Sequence, residues 1–150
     1  MSQSLVKNMI HLVFSTKHRA PMIPVEIQPK LWAFQAGVFN NWNSPSIAIG
    51  GVDDHIHALF LLSKTHELCK IVEEVKKASS KWMKNEGTGQ NDFYWQAGYA
   101  AFSVSQSSIS SVKEYIGNQA EHHRQRTFQE ELRLLLKRHE IDFDERYMRD

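Results

Sequence analysis

The sequence has one cysteine, Cys69, in 150 residues. A single thiol closes no internal disulfide, so the chain is not a disulfide-stapled secreted scaffold, and a reducing cytoplasm is the expected compartment. An excess of charge of one sign is also missing. Eighteen lysines and arginines stand against 17 acidic residues, for a formal net charge of +1. Any basic surface for nucleic acid must therefore be local. No apolar run reaches the length of a bilayer span, and no signal-peptide core opens the chain. Neither an internal repeat nor a dividing linker is found, so one domain over 1–150 is expected. What is present suits a packed core: a hydrophobic fraction of 41%, with eight phenylalanines and four tryptophans.

The periodicity sets out the elements in order. Residues 5–15 put Ile10, Leu12 and Phe14 on one side and Met9, His11 and Val13 on the other, the pattern of a strand. From about Val25 to Trp42 the apolar residues recur at helical steps, with Pro29 tolerable only in the first turn. Two strands are expected over 46–52 and 54–63, joined by a turn at Gly51–Asp54. The second is apolar on both faces from Ala58 to Leu62, which argues for a central position. An amphipathic helix over 66–85 turns Ile71, Val75, Ala78 and Trp82 inward and Lys70, Lys77, Lys81 and Lys84 outward. A fourth strand follows at 99–106, then a helix from Ser107 or Ser108 to about Arg126. "TFQE" at 127–130 fits a capping box opening a last helix with Leu132, Leu135 and Leu136. The first six elements spell βαββαβ, a ferredoxin-like α+β sheet with helices on one face, plus C-terminal helices that carry Tyr115. That fold hosts many activities and decides none of them.

Chemistry gathers at two short stretches. In the "HIH" strand His55 and His57 share a face, their Cα atoms roughly 7 Å apart, and two imidazoles so placed can chelate one divalent ion. They need a third ligand from elsewhere. In "YIGNQ" Tyr115 and Gln119 stand one helical turn apart, about 6 Å along the axis. They share a stripe with Ser108, Ser111 and His122, beside the apolar stripe of Ile109, Val112, Ile116 and Ala120. Gln119 offers a neutral oxygen, and Tyr115 an oxygen nucleophile. The plainer account is two hydrogen-bonded strand histidines, a half-buried tyrosine and a solvated glutamine. If the stretches meet, a metal could polarise a phosphodiester while the phenol attacks phosphorus and becomes attached to it. An ordinary phenol is only about 0.1% ionised at neutral pH, so it would need activation.

"GGVDDHIHALFLL" resembles the histidine–hydrophobic–histidine strand of the HUH endonuclease superfamily, and "YIGNQ" resembles the Y-x-x-x-Q helix of its single-tyrosine transposases, the TnpA proteins of very small insertion sequences. "HLVFSTKHRAP" and "WQAGYAAFSVS" are similar to that family too. Relaxases share the histidine pair but usually add a third histidine nearby, and the segment after His57 has none before His66. The resemblance implies Tyr115 as nucleophile, His55, His57 and Gln119 as metal ligands, and Mg²⁺ or Mn²⁺ as the ion. It implies single-stranded DNA with hairpin ends, cut to a 5′-phosphotyrosine and a free 3′-hydroxyl. It also implies a homodimer whose composite active sites combine the tyrosine helix of one subunit with the histidines of the other. Two other readings stay open: a non-mobile, hairpin-binding relative, and a ferredoxin-like nucleic-acid-binding module without catalysis.

Candidate DNA contacts are Lys17 and Arg19 in the basic loop, and Lys77 and Lys81 with Lys84 on the helix face. A solvated loop and helix face would look the same. His11 is expected either near the DNA or as an ordinary polar strand residue. Tyr94, Tyr99 and Tyr147 are rival nucleophiles; Tyr99 falls in a strand and Tyr147 in an expected tail, and neither of these two has a ligand candidate one turn away.

Overall fold

The computed structural model describes residues 2–148. Strand β1 (Met9–Ser15) leads through a short turn of 3-10 helix at Lys17–Arg19 to α1 (Gln28–Asn41), with Pro29 in its first turn. Strands β2 (Ser46–Gly51) and β3 (His55–Leu61) form the hairpin, and α2 (Leu68–Trp82) follows, prolonged by a π-helical turn over Met83–Gly87. After β4 (Ala100–Ser103) come α3 (Ile109–Gly117), α4 (Gln119–Gln125) and α5 (Phe128–Arg138). The sheet runs β2-β3-β1-β4 with every neighbouring pair antiparallel, the ferredoxin-like order. β3 is central, as its continuous apolar run requires.

The alternation in β1 and β3 gives each sheet face a different task. Ile10, Leu12, Phe14, Ile56, Ala58 and Phe60 point to one side and join Leu31, Phe39, Ile71 and Val75 of α1 and α2 in the main core. Phe39 and Phe60 pack at 4.7 Å between ring centroids, and each such fully buried side chain is worth about 1.5–3 kcal/mol. On α2 the buried positions are Ile71, Val72, Val75 and Ser79, while Ala78 and Trp82 pack at the core's margin. The other face carries Met9, His11, Val13, His55, His57 and Leu59. It is covered by the C-terminal helices through two smaller apolar clusters, one around Ile116 and one joining Val13 and Phe102 to Phe128, Leu135 and Leu136.

Three expected boundaries shift. β1 begins at Met9, because the ladder to β3 starts with Met9 opposite Leu61 and leaves Leu5 and Val6 exposed. β4 covers only Ala100–Ser103, the stretch that pairs with β1. The helix expected to run unbroken to Arg126 is divided at Asn118, after the poor helix formers Gly117 and Asn118. Ser108 stands at its N-cap without a side-chain capping bond. The break rotates the chain, so that Ala120 is exposed and Gln119 is buried. The capping box at the start of α5 forms as expected, with Thr127 Oγ1 accepting from the Glu130 amide at 3.2 Å.

Candidate active site

His55 and His57 lie two residues apart on β3, so their side chains leave the sheet on the same face. Across the ladder Val13 stands opposite His57, which makes His11 the diagonal neighbour. The His11 and His57 rings meet through Nε2 and Nδ1 at 2.8 Å. His55 donates from Nδ1 to Asp54 Oδ1 at 2.7 Å. Both strand histidines thus have one ring nitrogen engaged from behind and present the other, Nε2, to the helices, the arrangement that orients metal-ligating imidazoles.

The helices bring three groups to those Nε2 atoms. Gln119 is buried, with Oε1 at 3.0 Å from His55 Nε2. The solvated-glutamine account therefore fails. Its Nε2 is buried without a hydrogen-bond partner among the described residues. Tyr115 is half-buried, its ring 5.6 Å from that of His57 and stacked on His122 at 4.6 Å. The third group is Glu131 on α5, whose Oε1 lies 2.7 Å from His57 Nε2 and 3.4 Å from His55 Nε2. The sequence reading missed Glu131. Its signal was position: three residues after Phe128 and four before Leu135, it is an acid on the apolar stripe of a helix.

Gly50 makes the approach possible. It sits opposite His57 on β2, and a Cβ there would stand 2.5 Å from the Ile116 carbonyl oxygen. The turn of α3 that carries Tyr115 lies directly on this bare backbone. Tyr115 and Gln119 therefore reach His55 and His57 of their own chain.

Burial and charge act together on each group. Burial works against a charge on His55, but the Asp54 and Glu131 carboxylates outweigh it and lift the pKa to about 9. Burial, with His57 beside it, takes His11 down to about 3, and burial likewise lowers His57. Glu131 resists burial through its hydrogen bonds from His55 and His57, which hold it well below the usual carboxylate range. Burial, then the Glu131 carboxylate, raises the Tyr115 phenol above its ordinary value.

Two imidazole nitrogens and two oxygens make a mixed donor set able to hold a divalent metal ion. His55 Nε2, His57 Nε2 and a Glu131 carboxylate oxygen lie within 4.8 Å of one another, with the Gln119 oxygen against His55. Beside them opens a cavity of about 530 Å³, lined by Tyr115, His11, Glu131, Arg126, Arg138 and Ser111 among others.

The remaining expected contacts are distributed differently. His11 is 3% exposed and its ring backs that of His57, and it also lines the cavity beside Tyr115. Lys17, Lys77 and Lys81 are exposed and Arg19 is half-buried. Tyr94 connects the basic loop to the lysine face of α2, with Lys84 Nζ 4.0 Å and Lys17 Nζ 5.8 Å from its ring centroid. Lys77 lines a shallow groove with Tyr94 and Tyr99. Lys70, on the same outer face, is paired with Glu74 at 3.0 Å.

A tyrosine is thus set against two histidines, an amide and a carboxylate in one cluster. The family described as "Transposase IS200 like" matches residues 4–119, and the chain belongs to that family. A solved structure from Deinococcus radiodurans R1, assigned as a transposase, is 21% identical. It superposes with a TM-score of 0.61 over 79% of this chain and 98% of that one. The structure of a REP-associated tyrosine transposase bound to a REP hairpin is 14% identical, with a TM-score of 0.60 over 82% of this chain and 74% of that one. No curated protein matches the chain. Among the described residues no helix is long and apolar enough to cross a membrane.

Proposed function

We propose that this transposase, acting as one domain in the cytoplasm, cuts and rejoins single-stranded DNA at hairpin-bearing ends through a covalent 5′-phosphotyrosine on Tyr115. His55, His57 and Gln119 would hold Mg²⁺ or Mn²⁺. The observation that carries the reading is the meeting of the two motifs: Gln119 bonds His55 from 64 residues further along the sequence, and Tyr115 faces His57. The hairpin in a solved relative supports that substrate class.

A bound divalent ion would polarise the scissile phosphate and stabilise the charge that develops on it. The chain's own residues do the rest. The rings of His57 and His122 fix the Tyr115 ring. Its oxygen attacks phosphorus, the bond from phosphorus to the 3′ oxygen breaks, the phenolic proton leaves, and the freed 3′ oxygen takes up a proton. The strand enters the cavity beside Tyr115, where Arg126 and Arg138 meet its phosphates. The hairpin lies on Lys17, Arg19, Lys77, Lys81 and Lys84 around Tyr94.

Tyr115→Phe keeps the ring and removes the nucleophile. It should fold, bind hairpin DNA, and form no covalent adduct on a denaturing gel. Adduct from this variant would reject Tyr115. A homodimer with exchanged tyrosine helices would build the same constellation from two chains. Mixing Tyr115→Phe with His57→Ala separates the arrangements: exchange restores one intact site in the mixed dimer, and a site within one chain restores none.

A further inference from the structure

We infer that Glu131 is a ligand of the metal ion, so that the site takes its one charged donor from α5, outside the segment that carries the family's motifs. The inference rests on the metal-assisted reading above and extends it to a residue beyond the 4–119 match. His55, His57 and Gln119 are all neutral as ligands. Set into a pocket where each is almost fully buried, they would leave a divalent charge largely uncompensated. Hard cations take carboxylate oxygens by preference. Glu131 supplies one at the place required: its Oε1 is close to both Nε2 atoms, and its side chain is 6% exposed.

The seat of that carboxylate is built rather than accidental. Thr127 caps α5, the Phe128 ring packs tilted against His55 at 4.6 Å between centroids, and Leu135 and Leu136 pack on Val13 and Phe102. Each contact presses the same helix face to the sheet, and Glu131 is the acid in the middle of that face. A carboxylate serving only to tie down α5 could bond either histidine from any side. This one converges on the two nitrogens that are turned away from Asp54 and His11.

The test is Mn²⁺ binding to the full chain without DNA, read from the signal of free Mn²⁺ in electron paramagnetic resonance. Glu131→Gln should weaken binding by at least about tenfold, the low end of what losing even an indirect partner of a metal site costs. Glu140→Gln, an exposed acid on the same side of the sequence, should bind as the wild type does. His57→Ala should lose binding. Wild-type affinity in Glu131→Gln with loss in His57→Ala overturns the inference and leaves the proposed function standing. Wild-type affinity in His57→Ala overturns the metal site itself. A crystal of the wild-type chain grown with Mn²⁺ gives an answer that does not depend on any variant folding. The Glu131 carboxylate at about 2.1 Å from the ion supports the assignment, and a carboxylate turned away from the ion rejects it.

Discussion

Adding one methyl group at Gly50 tests whether the approach of α3 sets the rate. A Cβ at this position falls 2.5 Å from the Ile116 carbonyl oxygen and 3.1 Å from Ile116 Cγ2. Ordinary contact lies near 3.5 Å, so the helix backbone must retreat by roughly 1 Å. The obstructing atom belongs to the main chain, and no rotamer change removes it. Ile116 follows Tyr115 directly, so the phenol moves with the displaced turn. Gly50→Ala should cost about 1–3 kcal/mol of stability, as overpacking does. A misplacement of about 1 Å should slow the covalent step by about 100-fold, equivalent to roughly 2.7 kcal/mol in the barrier.

The assay is single-turnover adduct formation on hairpin-bearing single-stranded DNA with Mn²⁺, at a temperature where the variant is folded. Gly37→Ala is the control, because a Cβ there meets nothing within 4 Å among the described residues. DNA binding should survive in Gly50→Ala, since the basic surface lies on α2 and the loop after β1. Mn²⁺ should still bind through His55, His57 and Glu131, which do not lie on α3. An unchanged adduct rate in Gly50→Ala would show that the seat of α3 is not what positions Tyr115.

Replacing Lys77, Lys81 and Lys84 together by alanine should flatten the dependence of log hairpin affinity on log salt by up to about three units. An unchanged slope returns those lysines to a solvated helix face. In metal-free protein, His55 should make stability fall as pH rises. Its folded pKa of about 9 stands above its ordinary 6.5, so its contribution is complete below pH 6.5 and lost as pH passes through 9. The loss is on the order of 3 kcal/mol. The melting temperature in EDTA should drop between pH 6.5 and 9 by more than that of His55→Asn, and parallel curves would count against the charged His55.

The order of elements was legible because each periodicity reports a buried face. Period two in β1 and the unbroken apolar run of β3 place both strands and the central one. Strand ends were less legible: Leu5 and Val6 are as apolar as the residues of β1 but pair with no strand among the described residues, which is a fact about the sheet rather than about those residues. His55, His57, Tyr115 and Gln119 could be picked out because spacing along one element puts each pair on one side. Their meeting could not be read that way, since it depends on α3 crossing Gly50 and on the break at Asn118. Glu131 and the His11–His57 bond follow from how separate elements dock, and spacing within one element reports that poorly.

Five polar residues, His11, His55, His57, Gln119 and Glu131, lie buried together under helices that apolar side chains could have sealed. Replacing such a cluster by hydrophobic residues of similar volume is often neutral or stabilising. The hydrogen bonds offset much of the burial, yet they leave the Gln119 amide nitrogen without a partner among the described residues. The apolar contacts that fix the cluster come from separate places. Ile116 anchors α3 and the Leu135–Leu136 pair anchors α5, while the main core stiffens the sheet from its other side. Each anchor would hold its helix just as well with apolar residues in place of the five. Stability alone therefore accounts for the helices being there, but not for what they carry. Under the proposed function a metal ion would take the two Nε2 atoms and the carboxylate, and a phosphodiester oxygen would accept from the unmet amide, which gives the cluster a reason that stability does not.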